Sequence, residues 1–297
     1  MSAPAKLAGF AALLLLVFGG AVAAGSAFGP DREGASAARE DDAMAEHREG
    51  DGAAGDGEAD EAGHAGADPV RGLSVSEDGL ALQLEQTELR RGRQSELAFA
   101  IVGADGQPVE DFEVEHEKRM HTIVVRRDGT GFQHVHPELG DDGVWRVPLT
   151  LPDAGAYRVF ADFKHDGEAR TLAADLSVDG QADYRPLPEP ATTATTADGY
   201  EVELDAGASR AGHEAELTFT VSKDGTPVRT APYLGAGGHL VALREGDLAF
   251  LHVHPEDEGD AVSFMTEFPS EGRYRLYLQF KHDGAVHTAE FTREVTR

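Results

Sequence analysis

Histidine is the residue type in this chain whose spacing most clearly predicts chemistry, because eight of the thirteen histidines stand at matched positions in two halves. Each half has a His-Val-His triplet, with one histidine before it and one after it. The two sets are His121, His134, His136 and His165 in the first half, and His239, His252, His254 and His282 in the second. Imidazole suits Cu(II) and Zn, and a nitrogen set without thiolate argues against an iron–sulfur cluster or a blue-copper centre. The pattern predicts a site for Cu(II) or Zn in each half.

Strand geometry places these side chains near one another. Alternate positions of a strand share a face, so His134 and His136 are expected about 6 to 7 Å apart. A hairpin turning at residues 127–131 sets His121 nearly opposite His136, and a turn at Gly246-Asp247 sets His239 nearly opposite His254. His165 and His282 each end a later strand that we expect to lie beside the hairpin. We expect surface ligands, whose replacement leaves the fold intact.

A purely structural role is the alternative for the same histidines. They could bond strand ends, or form a buried network that pins the domain. Core packing accepts many residue types whereas metal ligation requires this one, so the matched sets in two otherwise divergent halves favour ligation. Imidazole binds a metal only when neutral, so affinity is expected to fall below about pH 6.

The positions of the histidines belong to an internal repeat. Residues 132–138 recur as residues 250–256, and residues 163–167 recur as residues 280–284, at offsets of 118 and 117. Each half also has a Pro-x-x-Gly-x-Tyr segment, ending at Tyr157 and Tyr274, which is typical of a corner where a tyrosine hydroxyl fixes the entry to a strand. The repeats are predicted at residues 72–180 and 192–297, joined by a proline-containing linker at residues 181–191.

Within each repeat, apolar residues alternate over short runs separated by Asp-Gly turns. Period two is the pattern of a strand with one buried face. In the first repeat the runs are Leu80–Leu84, Leu97–Val102, Thr122–Val125, Val144–Leu151, Tyr157–Phe163 and Leu172–Val178. The sequence predicts an all-β protein of two tandem immunoglobulin- or cupredoxin-like β-sandwich domains, each of about seven strands and with no helix longer than about two turns.

The N-terminal part is different in composition. Residues 1–28 carry one early positive charge, Lys6, then an apolar run and the small residues Ala21-Val22-Ala23, as in a signal peptide or an N-terminal membrane anchor. Residues 29–71 are mostly Gly, Ala, Asp and Glu, which predicts a disordered acidic spacer. The protein is expected outside the cytoplasm, secreted or held at the membrane by residues 1–28 only.

Composition excludes several functions. A net charge of −28 without a basic stripe argues against nucleic-acid binding. The absence of cysteine removes disulfides, thiolate sites and cysteine nucleophiles. The sequence also has no Gly-x-Ser-x-Gly elbow, His-Glu-x-x-His motif or phosphate loop, so we predict that it is not an enzyme. A cupin-like metalloenzyme is the catalytic alternative, and only the second repeat half-fits it, through Gly246, His252, His254 and Glu258.

Residues 233–256 and 120–137 together resemble exported proteins of high-GC Gram-positive bacteria with duplicated YtkA-like or copper-carrier-like sandwich domains. The resemblance implies an extracytoplasmic, metal-related role. The predicted function is a binding protein for Cu(II) or Zn in buffering, delivery or resistance. The alternative is a non-catalytic structural or interaction module of the cell envelope, in which the domains bind another envelope protein and the histidines organise loops.

Overall fold

The computed structural model describes residues 70–251, 253–256 and 262–297. The predicted signal or anchor segment and nearly all of the predicted acidic spacer lie outside these residues. Every regular element in the described ranges is a β-strand, as the alternating pattern predicts. No helix that could cross a membrane occurs in this part of the chain.

The first repeat contains ten strand segments. They are β1 (Ser76–Glu77), β2 (Leu80–Leu84), β3 (Glu88–Leu89), β4 (Gln94–Val102), β5 (His121–Arg126), β6 (Gln133–Val135), β7 (Glu138–Leu139), β8 (Trp145–Thr150), β9 (Gly155–His165) and β10 (Glu168–Val178). The six apolar runs predicted as strands fall on β2, β4, β5, β8, β9 and β10. The additional segments are two or three residues long, too short to show a period in the sequence.

These strands form two five-stranded sheets. One has the order β1-β2-β4-β8-β7 and the other β3-β10-β9-β5-β6, with only β3 and β10 pairing in parallel. The apolar side chains of both sheets meet in one core around Trp145, Phe99 and Tyr157. The first repeat is therefore the predicted sandwich.

The second repeat follows the same plan. Its strands are β11 (Thr193–Thr195), β12 (Tyr200–Asp205), β13 (Glu214–Lys223), β14 (Thr226–Pro227), β15 (His239–Arg244), β16 (Phe250–Leu251), β17 (His254–Glu256), β18 (Val262–Glu267), β19 (Gly272–His282) and β20 (Ala285–Val295). One sheet has the order β11-β12-β13-β18-β17 with β14 on β13, and the other β16-β15-β19-β20. Phe219, Phe264 and Phe291 lie in the core between them.

A tight hairpin joins β5 to β6. Arg126, which is 2% exposed, donates to both carboxylate oxygens of Asp128, from Nε at 2.9 Å and from Nη2 at 2.6 Å. The second repeat has the same device, since Arg244 pairs with Asp247 at the turn after β15. A buried arginine requires such pairing, so the ion pair fixes the turn and with it the hairpin register.

The tyrosine corners predicted from the Pro-x-x-Gly-x-Tyr segments are present in both repeats. Tyr157 donates its hydroxyl proton to the Asp153 carbonyl at 2.9 Å, and Tyr274 donates to the Ser270 carbonyl at 2.9 Å. Each tyrosine is fully buried. The corner thus anchors the start of β9 and of β19 to the preceding connection.

The two repeats pack together through a third apolar cluster. It lies between the β5–β9–β10 face of one sheet and the β15–β16–β19 face of the other, and includes Ile123, Val125, Val241 and Leu243. All six residues of β5 are buried, because one face of the strand points into its own core and the other into this interface. Both repeats belong to one compact unit, Gly63–Arg297.

Aromatic contacts across the interface are reciprocal. Phe132 of the first repeat stacks on Tyr277 of the second, with the ring centroids 4.0 Å apart. Phe250 packs against Phe160, with the ring centroids 5.7 Å apart. In the repeat offset, Phe132 corresponds to Phe250 and Phe160 to Tyr277. Exchanged contacts of this kind are the property of an isologous interface, so the repeats are related by an approximate two-fold axis.

Candidate metal centre

Three of the predicted ligands converge at one end of the β5–β6 hairpin. Thr122 pairs with Val135 and Ile123 with His134, so His121 and His136 stand at the next position of the same register. The nearest ring nitrogens of His121, His134 and His136 all lie within 4.8 Å of one another. The structure therefore forms a cluster of three imidazoles from one short hairpin.

Hydrogen bonds fix the orientation of two of these rings. Nε2 of His121 is 3.1 Å from the Glu115 carbonyl oxygen, and Nδ1 of His134 is 2.7 Å from Oε1 of Gln279. Each of these nitrogens donates its proton to an oxygen acceptor. A neutral imidazole carries one N–H, so the second nitrogen of each ring then presents a lone pair.

Those two lone-pair nitrogens face each other. Nδ1 of His121 lies 3.1 Å from Nε2 of His134. The third ring, His136, has its Nε2 buried and without a hydrogen-bond partner among the described residues. A buried nitrogen without a hydrogen-bond partner destabilises the folded state, and so do two lone pairs that face each other. A cation bound by these nitrogens would remove both penalties.

Burial keeps the three imidazoles neutral. It lowers the pKa of His121 to about 4 and that of His136 to about 4, with nearby positive charge on Lys118 acting in the same direction. Burial, together with the neighbouring histidines, holds the pKa of His134 well below its usual range. At neutral pH the cluster thus presents neutral imidazole, the form that binds metal, and protons would compete nearer pH 4 than pH 6.

The second repeat adds to this cluster. The His239 ring lies 4.8 Å from the His134 ring and 5.6 Å from the His121 ring, measured between centroids. Gln279, which accepts the His134 proton, also belongs to the second repeat and is opposite His239 in the β15–β19 ladder. Gly238 allows this strand to start close to its neighbour, because a Cβ there would lie 2.8 Å from Val262 and 3.0 Å from the Gln279 carbonyl.

The structure does not bring His165 and His282 to the cluster. Each lies three residues beyond the strand position that pairs with His121 or His239, which is about 10 Å along the strand. Nδ1 of His165 is 2.7 Å from the Asp111 carbonyl oxygen, and Nδ1 of His282 is 2.9 Å from the Tyr200 hydroxyl. His165 therefore does not join His134 and His136, contrary to our expectation, and His282 is likewise outside the cluster of His121, His134 and His136.

The remaining predicted ligands are less fully described. His252 lies outside the described residues. His254 is the first residue of β17, which pairs with β18 in the sheet that does not contain β15. Only the backbone of His254 is described. β17 begins two residues earlier in its repeat than β7, at His254 instead of at the position of Glu256.

Two features of the cluster differ from the expectation. The cluster is partly covered by the second repeat and not fully on the surface, since His121 is 4% exposed and His134 and His136 are half-buried. Sequence reasoning also placed the sets in separate domains and missed the approach of His239 and Gln279. The signal was the unbroken apolar run Leu240–Leu243, which is typical of a strand buried on both faces.

Comparison with solved structures finds proteins of low sequence identity. The chain is similar to the Escherichia coli adhesin FdeC, with 16% identity over 75% of this chain and 66% of that one, and a TM-score of 0.27. A chimeric titin Z1Z2 tandem matches with 16% identity, 73% and 97% coverage and a TM-score of 0.20. The surface layer protein SbsC matches with 10% identity, 73% and 31% coverage and a TM-score of 0.23.

The chain spans less than two thirds of the adhesin and of the surface layer chain. None of the curated proteins compared with the sequence matches it. A family model, described as a domain of unknown function, DUF8832, matches twice, at residues 74–180 and 194–297. These segments contain both sandwiches, so the chain belongs to the DUF8832 family and carries two copies of its domain.

Proposed function

We propose that this protein binds a divalent transition-metal ion, Cu(II) or Zn, through His121, His134 and His136, as a non-catalytic carrier or buffer outside the cytoplasm. The observation that carries the proposal is the pair of facing nitrogens, Nδ1 of His121 and Nε2 of His134, 3.1 Å apart. Both rings already donate their proton elsewhere. A bound cation would accept both lone pairs.

The spacing also fits a metal ion. With Zn–N bonds of 2.0 to 2.1 Å at tetrahedral angles, two ligand nitrogens are separated by about 3.3 Å. The His121–His134 pair has nearly this separation, and the nearest His136 nitrogen lies within 4.8 Å of both. Small rotations of one ring would complete a three-nitrogen set.

The site's chemistry supports Cu(II) or Zn over other ions. Neutral imidazole is a ligand for both, whereas Ca²⁺ and Mg²⁺ prefer oxygen and Cu(I) prefers sulfur. The signal-like residues 1–28 and the resemblance to YtkA-like and copper-carrier proteins support a role outside the cytoplasm, in metal buffering, delivery or resistance. The proposed function involves no catalysis, because the sequence has none of the motifs that supply an activated nucleophile.

The test is metal retention by the full chain. The protein is loaded with ZnCl₂ or CuSO₄, passed over a desalting column with citrate to remove loosely bound ions, and its metal content is measured by mass spectrometry. We expect the double variant H134A/H136A to lose the retained ion, because two of three ligands are removed. The matched control is H165A/H282A, which changes two histidines outside the cluster and should retain it.

The structural alternative predicts a different result. If the histidines only organise the interface, the parent retains no ion after citrate, and H134A/H136A lowers the unfolding midpoint without any change in metal content. Retention that is equal in the parent and in H134A/H136A, with both folded by circular dichroism, would contradict a histidine site. The parent's metal content therefore decides between the two functions.

A further inference from the structure

We infer that the metal centre is shared between the two repeats, with His239 as a fourth ligand and Gln279 as the residue that positions His134. This inference rests on the proposed function. Among the described residues, it places the centre at the domain interface instead of wholly within the first domain. Each chain would bind one ion tightly at this centre.

Ring spacing supports a four-imidazole set. With Zn–N bonds near 2.05 Å, the centroids of imidazoles around one tetrahedral ion are about 5 Å apart. The measured centroid distances are 5.3 Å for His121–His134, 5.0 Å for His121–His136 and 4.8 Å for His134–His136. His239 extends the same spacing, at 4.8 Å from His134 and 5.6 Å from His121. His116 is farther out, at 6.2 Å from His121 and 5.9 Å from His239.

The approximate two-fold axis explains why the centre lies between the repeats. His121 and His239 are matched positions of the repeat, and their ring planes are within 5° of parallel. A residue that contacts its own counterpart across an isologous interface lies at the axis. A ligand set built around His121 is therefore within reach of the second repeat, and an ion there touches both domains.

Gln279 acts on the centre without being a ligand. It is 7% exposed, and its Oε1 accepts the proton of His134 Nδ1 at 2.7 Å. This hydrogen bond leaves Nε2 of His134 as the metal-binding atom. Partners of this kind hold the tautomer and ring orientation of histidine ligands, and their loss typically reduces metal affinity by about 10- to 100-fold.

The test is zinc affinity of the full chain, measured by competition with a chromophoric chelator. H239A should weaken binding by at least about tenfold, and Q279L by about 10- to 100-fold. Q279E should retain or increase affinity, because a carboxylate accepts the His134 proton more strongly. H282A, a histidine of the same repeat outside the cluster, should bind as the parent does. X-ray absorption at the zinc edge should show four nitrogen ligands in the parent, and three with one oxygen in H239A.

The possible outcomes distinguish failure of the shared centre from failure of the proposed metal-binding function. If the parent binds zinc and both H239A and Q279L bind it with unchanged affinity and an unchanged absorption spectrum, the shared centre is wrong while metal binding stands. If the parent binds no zinc, the proposed function itself is wrong. Affinity lost in Q279L and restored in Q279E would exclude a mere packing defect at this position.

Discussion

Burial of the histidine cluster couples its protonation to folding. His121 and His136 have pKa values near 4 in the folded chain, whereas an exposed histidine titrates near 6.5. Between these values the unfolded chain binds more protons than the folded one. The free energy of unfolding therefore decreases as the pH falls from 6.5 towards 4.

A buried carboxylate opposes this trend. Burial raises the pKa of Asp162 to about 6 from its ordinary 3.8, and the Thr171 hydroxyl donates to it at 2.7 Å. Below pH 6 the folded chain takes up this proton before the unfolded chain does, which stabilises the fold as the pH falls. One carboxyl group thus offsets about one of the three cluster imidazoles.

We predict a net loss of stability in mild acid for the metal-free protein. Each uncompensated imidazole contributes about 1.4 kcal/mol per pH unit. Urea unfolding at pH 7 and pH 5.5 measures the change, in a range where exposed carboxylates remain ionised. H134A/H136A should show a smaller decrease than the parent, since two of the titrating groups are gone. An identical pH dependence in both proteins would argue against burial of neutral imidazoles.

At the scale of elements, the tyrosine corners fix where the two longest hairpins begin. Tyr157 and Tyr274 each donate to a carbonyl four residues earlier, and each ring is buried. Replacement by phenylalanine keeps the ring but leaves that carbonyl without its partner. We predict that Y157F and Y274F each lower the free energy of unfolding by about 1 to 3 kcal/mol.

Chemical denaturation of the single variants checks this prediction, with Y184F as the control. Tyr184 is 49% exposed and its hydroxyl accepts from the Ala156 amide at 2.8 Å, where water can replace it. Y184F should therefore cost less than either corner variant. Equal losses in all three would mean that the corners contribute no more than a surface hydrogen bond.

Local patterns account for the parts of the fold that the sequence could predict. Alternating apolar residues identified β2, β4, β5, β8, β9 and β10, and the turn after Arg126 determined the hairpin that brings His121 to His136. For the docking of the repeats the only local sign is the unbroken apolar run Leu240–Leu243, which does not identify what covers the strand. Gln279 and His134 are 145 residues apart, and an apolar sheet face directed at a second domain has the same composition as one directed at a core.

At the scale of the whole molecule, residues 29–71 are dense in carboxylates, with 13 Asp and Glu against four Arg, although the sandwiches are acidic too. Clustered carboxylates attract divalent cations weakly, and salt screens that attraction. We predict that the full chain has one tight site plus weak binding that 0.5 M NaCl removes. A chain beginning at Gly63 should keep the tight site and lose only part of the weak binding, because it retains 42 Asp and Glu against 22 Lys and Arg.

Equilibrium dialysis with zinc at low and high salt, for both chain lengths, checks this prediction. The shortened chain begins at Gly63 because Arg71 is hydrogen-bonded to Phe250 of the second repeat and Gly72 accepts from Arg158. A later start would remove contacts of the folded unit. Loss of the tight site in the shortened chain would show that the acidic residues supply ligands.

The two repeats are held together by reciprocal ring contacts, Phe132 with Tyr277 and Phe250 with Phe160. Two separate chains meeting through the same face would come apart on dilution, and any ion held between them would be released. The short linker at residues 181–191 instead keeps the second half at an effective concentration on the order of millimolar, whatever the protein concentration. Fusion thus means that the proposed ion would be held within one chain, so its retention would not depend on the protein concentration.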